Sequence, residues 1–261
     1  MNRSLGYVCV AAAVWTLAAG GGSAASAPFE APPDGRVAIL VYHRFESAVT
    51  DSMAVRTAKF AAQLRYLADH RYHVVPLRTV VSALLHKDPL PAGAVVITAD
   101  DGHRSVYTDM LPLVRQYKIP ITLFIYPSAI SNASYAMTWA QLDELRRTGL
   151  FDIQSHTYWH PNFKVERRRL APAAFDGFVT MQLVKPKTVL KAKLGVDADM
   201  LAWPFGIHDD DLVARARAAG YVAAFTLGAR LVSPGDPPLA LPRFLITDGV
   251  SDKRFEAILP R

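Results

Sequence analysis

The sequence predicts an α/β fold, a single distorted (β/α) barrel that occupies residues 37–261. Short apolar segments alternate with longer segments of helical periodicity, and polar residues hardly interrupt the apolar segments. Uninterrupted apolar strands are typical of a parallel sheet that is buried on both faces. The chain has 261 residues, of which 51% are hydrophobic and 20% charged, so it can bury a sizeable core. That length suits one barrel, although it would also allow two domains.

The strands are predicted from the apolar segments in chain order. The first, Val-Ala-Ile-Leu-Val-Tyr at 37–42, is apolar throughout and therefore suits a buried strand. The others are predicted at 73–75, 94–99, 121–125, 151–154, 200–203, 221–226 and 241–246. In a parallel barrel the chemistry lies on loops at the carboxyl ends of the strands, so residues directly after these segments are the candidates for a site.

Helices are predicted between these strands from apolar residues that recur every three or four positions. In the first helix, at 57–69, Phe60, Leu64 and Leu67 have this spacing. The others are predicted at 77–85, 106–117, 138–147, 167–194, 209–219 and 251–259. Pro172 and Pro186 are expected to interrupt the long helical segment, because proline breaks the helical hydrogen-bond pattern.

The N-terminal segment is predicted to be a secretory signal peptide over residues 1–27, followed by a proline-rich lead-in over 28–36. A basic start precedes an apolar stretch at 5–19 and then small residues at 20–27. An uncleaved membrane anchor is the alternative, but the apolar stretch is short for a span. We therefore expect export to the periplasm or the extracellular cell envelope, with no stable membrane span after cleavage.

The cysteine content and the net charge limit the kinds of site and partner that the chain can have. Cys9, the one cysteine, lies inside the predicted signal peptide, so the mature protein would have no disulfide, no cysteine nucleophile and no cysteine-ligated metal. The formal net charge is +6, which suits either solvated helix faces or an anionic cell-surface polymer. Nothing in the sequence resembles a nucleic-acid-binding motif.

An acidic pair follows the strand predicted at 94–99. Asp100 and Asp101 precede Gly102, and two adjacent carboxylates repel each other unless a cation or a proton lies between them. The structural alternative is a helix N-cap, because aspartate accepts backbone N–H bonds and glycine permits a turn. The pair alone does not decide between these interpretations.

Two histidines follow the strand predicted at 151–154. His156 and His160 are four residues apart, so on one helical turn both imidazoles would face the same way. Alone, the pair could be a coincidence in an aromatic loop. Together with one aspartate it makes a three-ligand set that binds a divalent cation and leaves a position open for water, while the other aspartate is free to act as a base.

At these motifs the sequence resembles the polysaccharide deacetylases, carbohydrate esterase family four. The resemblance is carried by three segments: Thr98-Ala99-Asp100-Asp101-Gly102, His156-Thr157-Tyr158-Trp159-His160 and Trp203-Pro204-Phe205-Gly206. It extends over roughly 37–259. The branch that removes N-acetyl groups from poly-N-acetylglucosamine looks most similar, because it also carries a Tyr-His pair early in the domain, as Tyr42-His43 does here.

The resemblance implies a role for each matching residue. The metal ligands would be Asp101, His156 and His160, with zinc the usual metal in this family. Asp100 would be the general base and His43 the general acid. The backbone N–H of Phe205 would help to hold the oxyanion of the tetrahedral intermediate.

The chain departs from the family pattern at the third motif. Many members carry an arginine there that orients the base, and the matching position is Ala202. Arg243, on a late predicted strand, is one candidate to replace it, but the sequence alone gives little support for it. His208 is a weaker candidate than His43 for the acid, and His43 itself could be a buried core histidine.

The predicted function is that of a metal-dependent hydrolase that removes N-acetyl groups from an N-acetylglucosamine polysaccharide and releases acetate. Its polysaccharide substrate is the one partner that the sequence suggests. A peptidoglycan deacetylase and an O-acetyl esterase remain alternatives. A non-catalytic glycan-binding module on the same fold is a further alternative, against which the intact acidic and histidine pairs argue.

Overall fold

The computed structural model describes residues 35–260. The predicted signal peptide and residues 28–34 of the predicted lead-in lie outside this range. The strands are β1 Ala38–Tyr42, β2 Arg44–Glu46, β3 Ala54–Arg56, β4 His73–Val74, β5 Ala94–Asp100, β6 Ile121–Ile125, β7 Phe151–Ser155, β8 Met200–Ala202, β9 Ala223–Phe225 and β10 Phe244–Leu245. The α-helices are α1 Thr57–Asp69, α2 Leu77–His86, α3 Leu111–Tyr117, α4 Trp139–Arg147, α5 Phe163–Arg169, α6 Pro172–Leu194, α7 Asp210–Ala218 and α8 Asp252–Ala257.

The main sheet is parallel and runs in the order β10-β1-β5-β6-β7-β8-β9, with β4 paired to β5. A parallel bridge between Phe225 and Leu241 links the end of β9 to the segment that leads into β10. The two edges of the sheet therefore approach each other, and the sheet curls with its helices around it. The predicted distorted (β/α) barrel is confirmed.

Side chains alternate between two buried faces along the strands, as the period of a strand requires. Ile39, Val96 and Phe124 belong to a cluster that α2 joins through Leu77 and Val80. Their strand neighbours instead pack with residues of α1, α3 and α4 in a second cluster. The first cluster fills the concave side of the sheet. The candidate site lies beyond this cluster, at the carboxyl ends of the strands.

The structure of the helices and strands differs from the sequence prediction at several places, three of which bear on the fold. β2 and β3 form an unpredicted two-stranded parallel pair that follows His43 directly. The predicted helix at 106–117 begins as a π-helix at Val106–Met110. Pro186 lies inside α6 without ending it, because the packing of the helix outweighs the one backbone bond that a proline removes.

Among residues 35–260, none of the helices has the length and hydropathy that a transmembrane span requires.

Candidate metal centre and active site

A single pocket of about 320 Å³ lies where the loops after β1, β5, β7 and β8 meet. It contains all six residues to which the resemblance assigns a role. Its lining consists of His43, Arg44, Met53, Asp100, Asp101, Tyr126, His156, His160, Trp203, Phe205 and Leu227. The barrel rule that places chemistry at the carboxyl ends of strands therefore holds for this chain.

Asp101, His156 and His160 bring one ligand atom each to within 4.8 Å of one another. The Oδ1 atom of Asp101 lies 3.6 Å from Nε2 of His156 and 3.7 Å from Nε2 of His160. These distances are too long for hydrogen bonds and suit three groups that face a common centre. The predicted ligand set is thus assembled as a possible metal site.

The two histidines are not on a helical turn, so that part of the prediction was wrong. His156 extends β7, because its N–H donates to the carbonyl of Ile125, and the following residues form a loop. Thr157 and His160 both have positive φ values, 66° and 62°, which are uncommon for residues other than glycine. This looped backbone, held by the His160 N–H bond to Thr157 Oγ1, turns the second imidazole towards the first.

The His156 ring is held in the tautomer that a metal ligand needs. Nδ1 lies 2.8 Å from the carbonyl oxygen of Ala202, and a carbonyl only accepts, so Nδ1 carries the proton. Nε2 then points its lone pair at the Asp101 side of the pocket. Burial lowers the pKa of His156 to about 3, so the ring is neutral at pH 7.

Asp101 presents a carboxylate oxygen with no protein partner. Its Oδ1 atom is buried and accepts no hydrogen bond. Burial raises the pKa of this carboxyl, and the adjacent Asp100 charge acts in the same direction. An unpartnered buried oxygen beside two neutral imidazoles is the donor set that a divalent cation such as zinc accepts, so these residues fit a metal.

Asp100 is fully partnered, although it is the immediate neighbour of Asp101. Arg243 donates two hydrogen bonds to it, from Nη1 to Oδ1 at 2.8 Å and from Nη2 to Oδ2 at 2.7 Å. Both side chains are buried. Burial alone would raise the pKa of Asp100, but the Arg243 guanidinium and the nearby imidazoles lower it to about 2. Asp100 is the last residue of β5 and not a helix N-cap.

Arg243 therefore makes the contact with Asp100 for which the sequence offered it as a candidate. Its Nη1 also donates to Thr98 Oγ1 at 3.1 Å, and its Nε donates to the Thr226 carbonyl at 3.3 Å. Thr98 and Asp100 share the concave face of β5 because they are two residues apart. A buried arginine with this many acceptors is fixed in place, and it fixes the Asp100 carboxylate in turn.

His43 follows β1 and is buried at the pocket wall. Its Nδ1 atom has no hydrogen-bond partner among the described residues. Burial lowers the pKa of His43, while the charges of Asp100 and Asp101 partly offset this effect. His208, the weaker candidate, is an exposed loop residue outside the pocket lining.

Phe205 lies in a 3₁₀ turn at Pro204–Gly206 after β8, with a positive φ of 57°. Its exposed ring lies 4.6 Å from the His160 ring, centroid to centroid. Gly206 must be glycine, since it has a φ of 67° and a Cβ there would meet the Leu227 nitrogen at 2.8 Å. This turn places Phe205 at the pocket. Trp203 also borders the pocket but is almost fully buried, and its Nε1 donates to the Leu239 carbonyl.

Sequence reasoning did not single out four of the lining residues, Arg44, Met53, Tyr126 and Leu227. Tyr126 follows β6 directly, so the strand-end rule could have identified it. Arg44 adjoins His43 and could have been included for the same reason. Leu227 directly follows the strand predicted at 221–226, so the same rule could have identified it. Met53 precedes β3 and follows no predicted strand, so that rule gives no signal for it.

The comparison with family models identifies the family of this chain. Residues 87–224 match the polysaccharide deacetylase family model. That range is more than half of the chain, so the chain belongs to the polysaccharide deacetylase family. The family consists of hydrolases, and the predicted enzyme class is confirmed.

Relatives and solved structures agree with this assignment. The chain is 25% identical to the poly-β-1,6-N-acetyl-D-glucosamine N-deacetylase of Escherichia coli K12, over 86% of this chain and 38% of that protein. It is 24% identical to the enzyme of that name from Staphylococcus aureus MRSA252, over 85% of this chain and 76% of that protein. The chain thus spans well under half of the E. coli relative.

Among solved structures, IcaB from Ammonifex degensii aligns with a TM-score of 0.74 and 26% identity, over 85% of this chain and 94% of that one. The Streptococcus pyogenes deacetylase PplD, solved with acetate, aligns with a TM-score of 0.77 and 22% identity, over 87% of this chain and all of that one. At its lower identity, the PplD alignment supports the fold alone.

Proposed function

We propose that this protein is an exported, metal-dependent N-deacetylase that removes acetyl groups from an N-acetylglucosamine polymer, with poly-β-1,6-N-acetylglucosamine as the substrate and zinc as the metal. The observation that carries the proposal is the convergence in one pocket of three ligand atoms and an arginine-bound carboxylate. The names of the relatives from E. coli and S. aureus support the choice of polymer.

Asp101, His156 and His160 would hold the cation. When bound, it would polarise the acetyl carbonyl and make water more acidic, which are the usual contributions of a divalent metal to amide hydrolysis. Three protein ligands leave room for water and substrate, as catalytic zinc sites do. The neutral state of His156 and the unpartnered Asp101 oxygen support this assignment.

Asp100 would accept the proton of the attacking water. A general base must be ionised and held at a fixed position, and the two bonds from Arg243 favour both conditions. Its Oδ2 atom also lies 3.7 Å from Nε2 of the ligand His156, so the base adjoins the ligand set. The low pKa of Asp100 keeps its carboxylate ionised throughout the neutral range.

His43 would donate the proton that the leaving nitrogen requires, because an amine does not leave as its anion. The facing carboxylates of Asp100 and Asp101 favour the protonated ring against the effect of burial. The Phe205 N–H, presented by the turn after β8, would donate to the developing oxyanion. The products are acetate and a glucosamine unit with a free amine.

The test is to incubate the zinc-loaded protein with β-1,6-linked N-acetylglucosamine oligomers and, separately, with β-1,4-linked ones. Acetate release and loss of acetyl groups by mass spectrometry should occur with the β-1,6 series and should disappear when a chelator removes the metal. Release from the β-1,4 series alone would point to a peptidoglycan-type or chitin-type substrate. Release from O-acetyl esters alone would identify an esterase, and binding without release would identify a glycan-binding module.

Export rests on the predicted signal peptide at 1–27 and on the extracellular polymer that the relatives are named for. Expression of the full chain with a C-terminal tag, followed by fractionation and N-terminal sequencing, tests it. Recovery outside the cytoplasm with an N-terminus near residue 28 is the expected result. An intact N-terminus in the membrane fraction would identify an anchor instead.

A further inference from the structure

The two ligand histidines are held in different ways. The His156 ring donates to a backbone carbonyl of β8. The surroundings of the His160 ring are aromatic: His156 and Phe205 lie 4.6 Å away and Tyr126 lies 5.4 Å away, between ring centroids. Ring contacts orient an imidazole less strictly than a hydrogen bond does, so the position of His160 depends on how firmly its aromatic neighbours are held.

Tyr126 begins the segment 126–137, which connects β6 to α4 and is bonded to both ligand-bearing loops. At its far end Met137 N–H donates to the Gly102 carbonyl, directly after Asp101. Near its start Ser128 N–H donates to the Tyr158 carbonyl, two residues before His160. One segment therefore spans the distance between the Asp101 loop and the His160 loop.

Two tyrosines near the two ends of this segment contact each other through their side chains. The hydroxyls of Tyr126 and Tyr135 lie 2.6 Å apart and form a hydrogen bond. The Tyr135 ring stacks on His103, two residues after Asp101, with an interplanar angle of 7°. A continuous set of contacts thus runs from the Asp101 loop through Tyr135 and Tyr126 to the His160 ring.

We propose that the Tyr126–Tyr135 hydroxyl pair is a brace that positions the His160 imidazole relative to the Asp101 carboxylate for cation binding. The proposal rests on the proposed function, because it takes Asp101, His156 and His160 as the ligand set. Tyr126 and Tyr135 are positioning residues that act through His160. Substitution of groups that orient metal ligands usually weakens metal binding by about 10–100-fold. This brace acts through a ring contact, so we expect a smaller loss, of about fivefold.

The test measures the zinc affinity of the full chain by competition with a chromophoric chelator, after metal removal. Tyr126→Phe, Tyr135→Phe and the double variant each keep the rings and remove the hydroxyl bond. Tyr107→Phe is the matched control, because it removes a tyrosine hydroxyl bonded to Glu144 at 2.5 Å, outside the pocket lining. Thermal unfolding of each metal-free variant verifies that it is folded.

Each single variant should weaken zinc binding by about fivefold. The double variant should be no weaker than either single one, because both substitutions break the same bond. Tyr107→Phe should bind as the wild type does. A raised KM with unchanged zinc affinity would show instead that Tyr126 contacts the substrate, and this would overturn the brace.

Additive losses in the double variant, or an equal loss in Tyr107→Phe, would also overturn the brace. Wild-type protein that binds zinc, together with tyrosine variants of unchanged affinity, would leave the metal site standing and remove only the brace. Wild-type protein that fails to bind zinc would defeat the proposed function, and the brace with it.

Discussion

Asp100 and Asp101 are adjacent in sequence but lie in opposite environments. Asp100 ends β5, accepts two hydrogen bonds from Arg243 and has a lowered pKa. Asp101 begins the loop with a φ of 72°, leaves Oδ1 without a partner and has a raised pKa. The fold thus gives one carboxylate protein partners and leaves an oxygen of the other without one, and the proposed roles of base and cation ligand follow this difference.

The division follows from where the strand ends. Alternation along β5 directs Asp100 to the concave face, where Arg243 reaches it. The left-handed conformation of Asp101 breaks that alternation and turns its carboxylate towards the histidine loop. A positive φ in a residue other than glycine costs roughly 1–3 kcal/mol and is common at functional sites, where the surrounding structure enforces it.

Asp100→Asn should have the largest effect on activity. The amide cannot accept the proton of water, so we expect deacetylation to fall by about 10³-fold or more. Metal content should remain near one ion per chain, because Asp100 is not among the three ligands. Acetate release and metal analysis on the same sample measure both quantities. Unchanged turnover would remove Asp100 as the base.

Arg243→Gln should have the largest effect on stability. It leaves the Asp100 carboxylate buried beside Asp101 without a countercharge, so we expect a loss of about 3–5 kcal/mol in the free energy of unfolding. The matched control is Arg78→Gln, because Arg78 forms a two-bond pair with Asp199 in which both side chains are partly exposed, 51% and 33%. Exposed pairs contribute about 0–1 kcal/mol. Denaturant unfolding measures the loss of free energy for each variant. Equal losses would show that burial of the Arg243–Asp100 pair has no special effect on stability.

His43→Ala should separate amide from ester chemistry. An alkoxide from an activated acetyl ester leaves without a proton, whereas an amine needs one. We therefore expect amide hydrolysis to fall by about 10²-fold and hydrolysis of the activated ester to fall far less. His208→Ala, an exposed substitution outside the pocket lining, should change neither rate. Equal losses on both substrates would indicate that His43 is structural.

Asp101→Asn should have the smallest effect on stability, with the sign opposite to that of Arg243→Gln. Removing an unpartnered buried carboxylate beside Asp100 should stabilise the metal-free protein by about 1 kcal/mol. Zinc binding should be lost in the same variant. Asp197→Asn, at the exposed Lys191 pair, should change neither quantity. A destabilised metal-free Asp101→Asn would show that Asp101 has a protein partner.

The sequence predicted the parts of the site that local pattern encodes. Uninterrupted apolar strands gave the barrel, and the residues after those strands include Asp101, His156 and His43. The backbone at His160 was not predicted correctly. A helical turn was expected, but a loop in which Thr157 and His160 have positive φ values brings the two imidazoles together.

Long-range partners could not be predicted in the same way. Arg243 is 143 residues from Asp100, and no local periodicity relates the two. The resemblance indicated that the arginine of the third motif is absent at Ala202, and the pairing of β10 with β1 brings Arg243 to Asp100. The Tyr126–Tyr135 bond likewise depends on the folded course of the segment between β6 and α4.

The most direct test of the metal site is a crystal structure of the zinc-loaded protein with an anomalous difference map collected at the zinc edge. We expect one strong peak from a zinc ion that is bound by Asp101 Oδ1 and by Nε2 of His156 and His160, at about 2.0–2.2 Å from each atom. Asp100 should remain bonded to Arg243. A map with no peak among these three side chains, or with zinc bound elsewhere, would contradict the account.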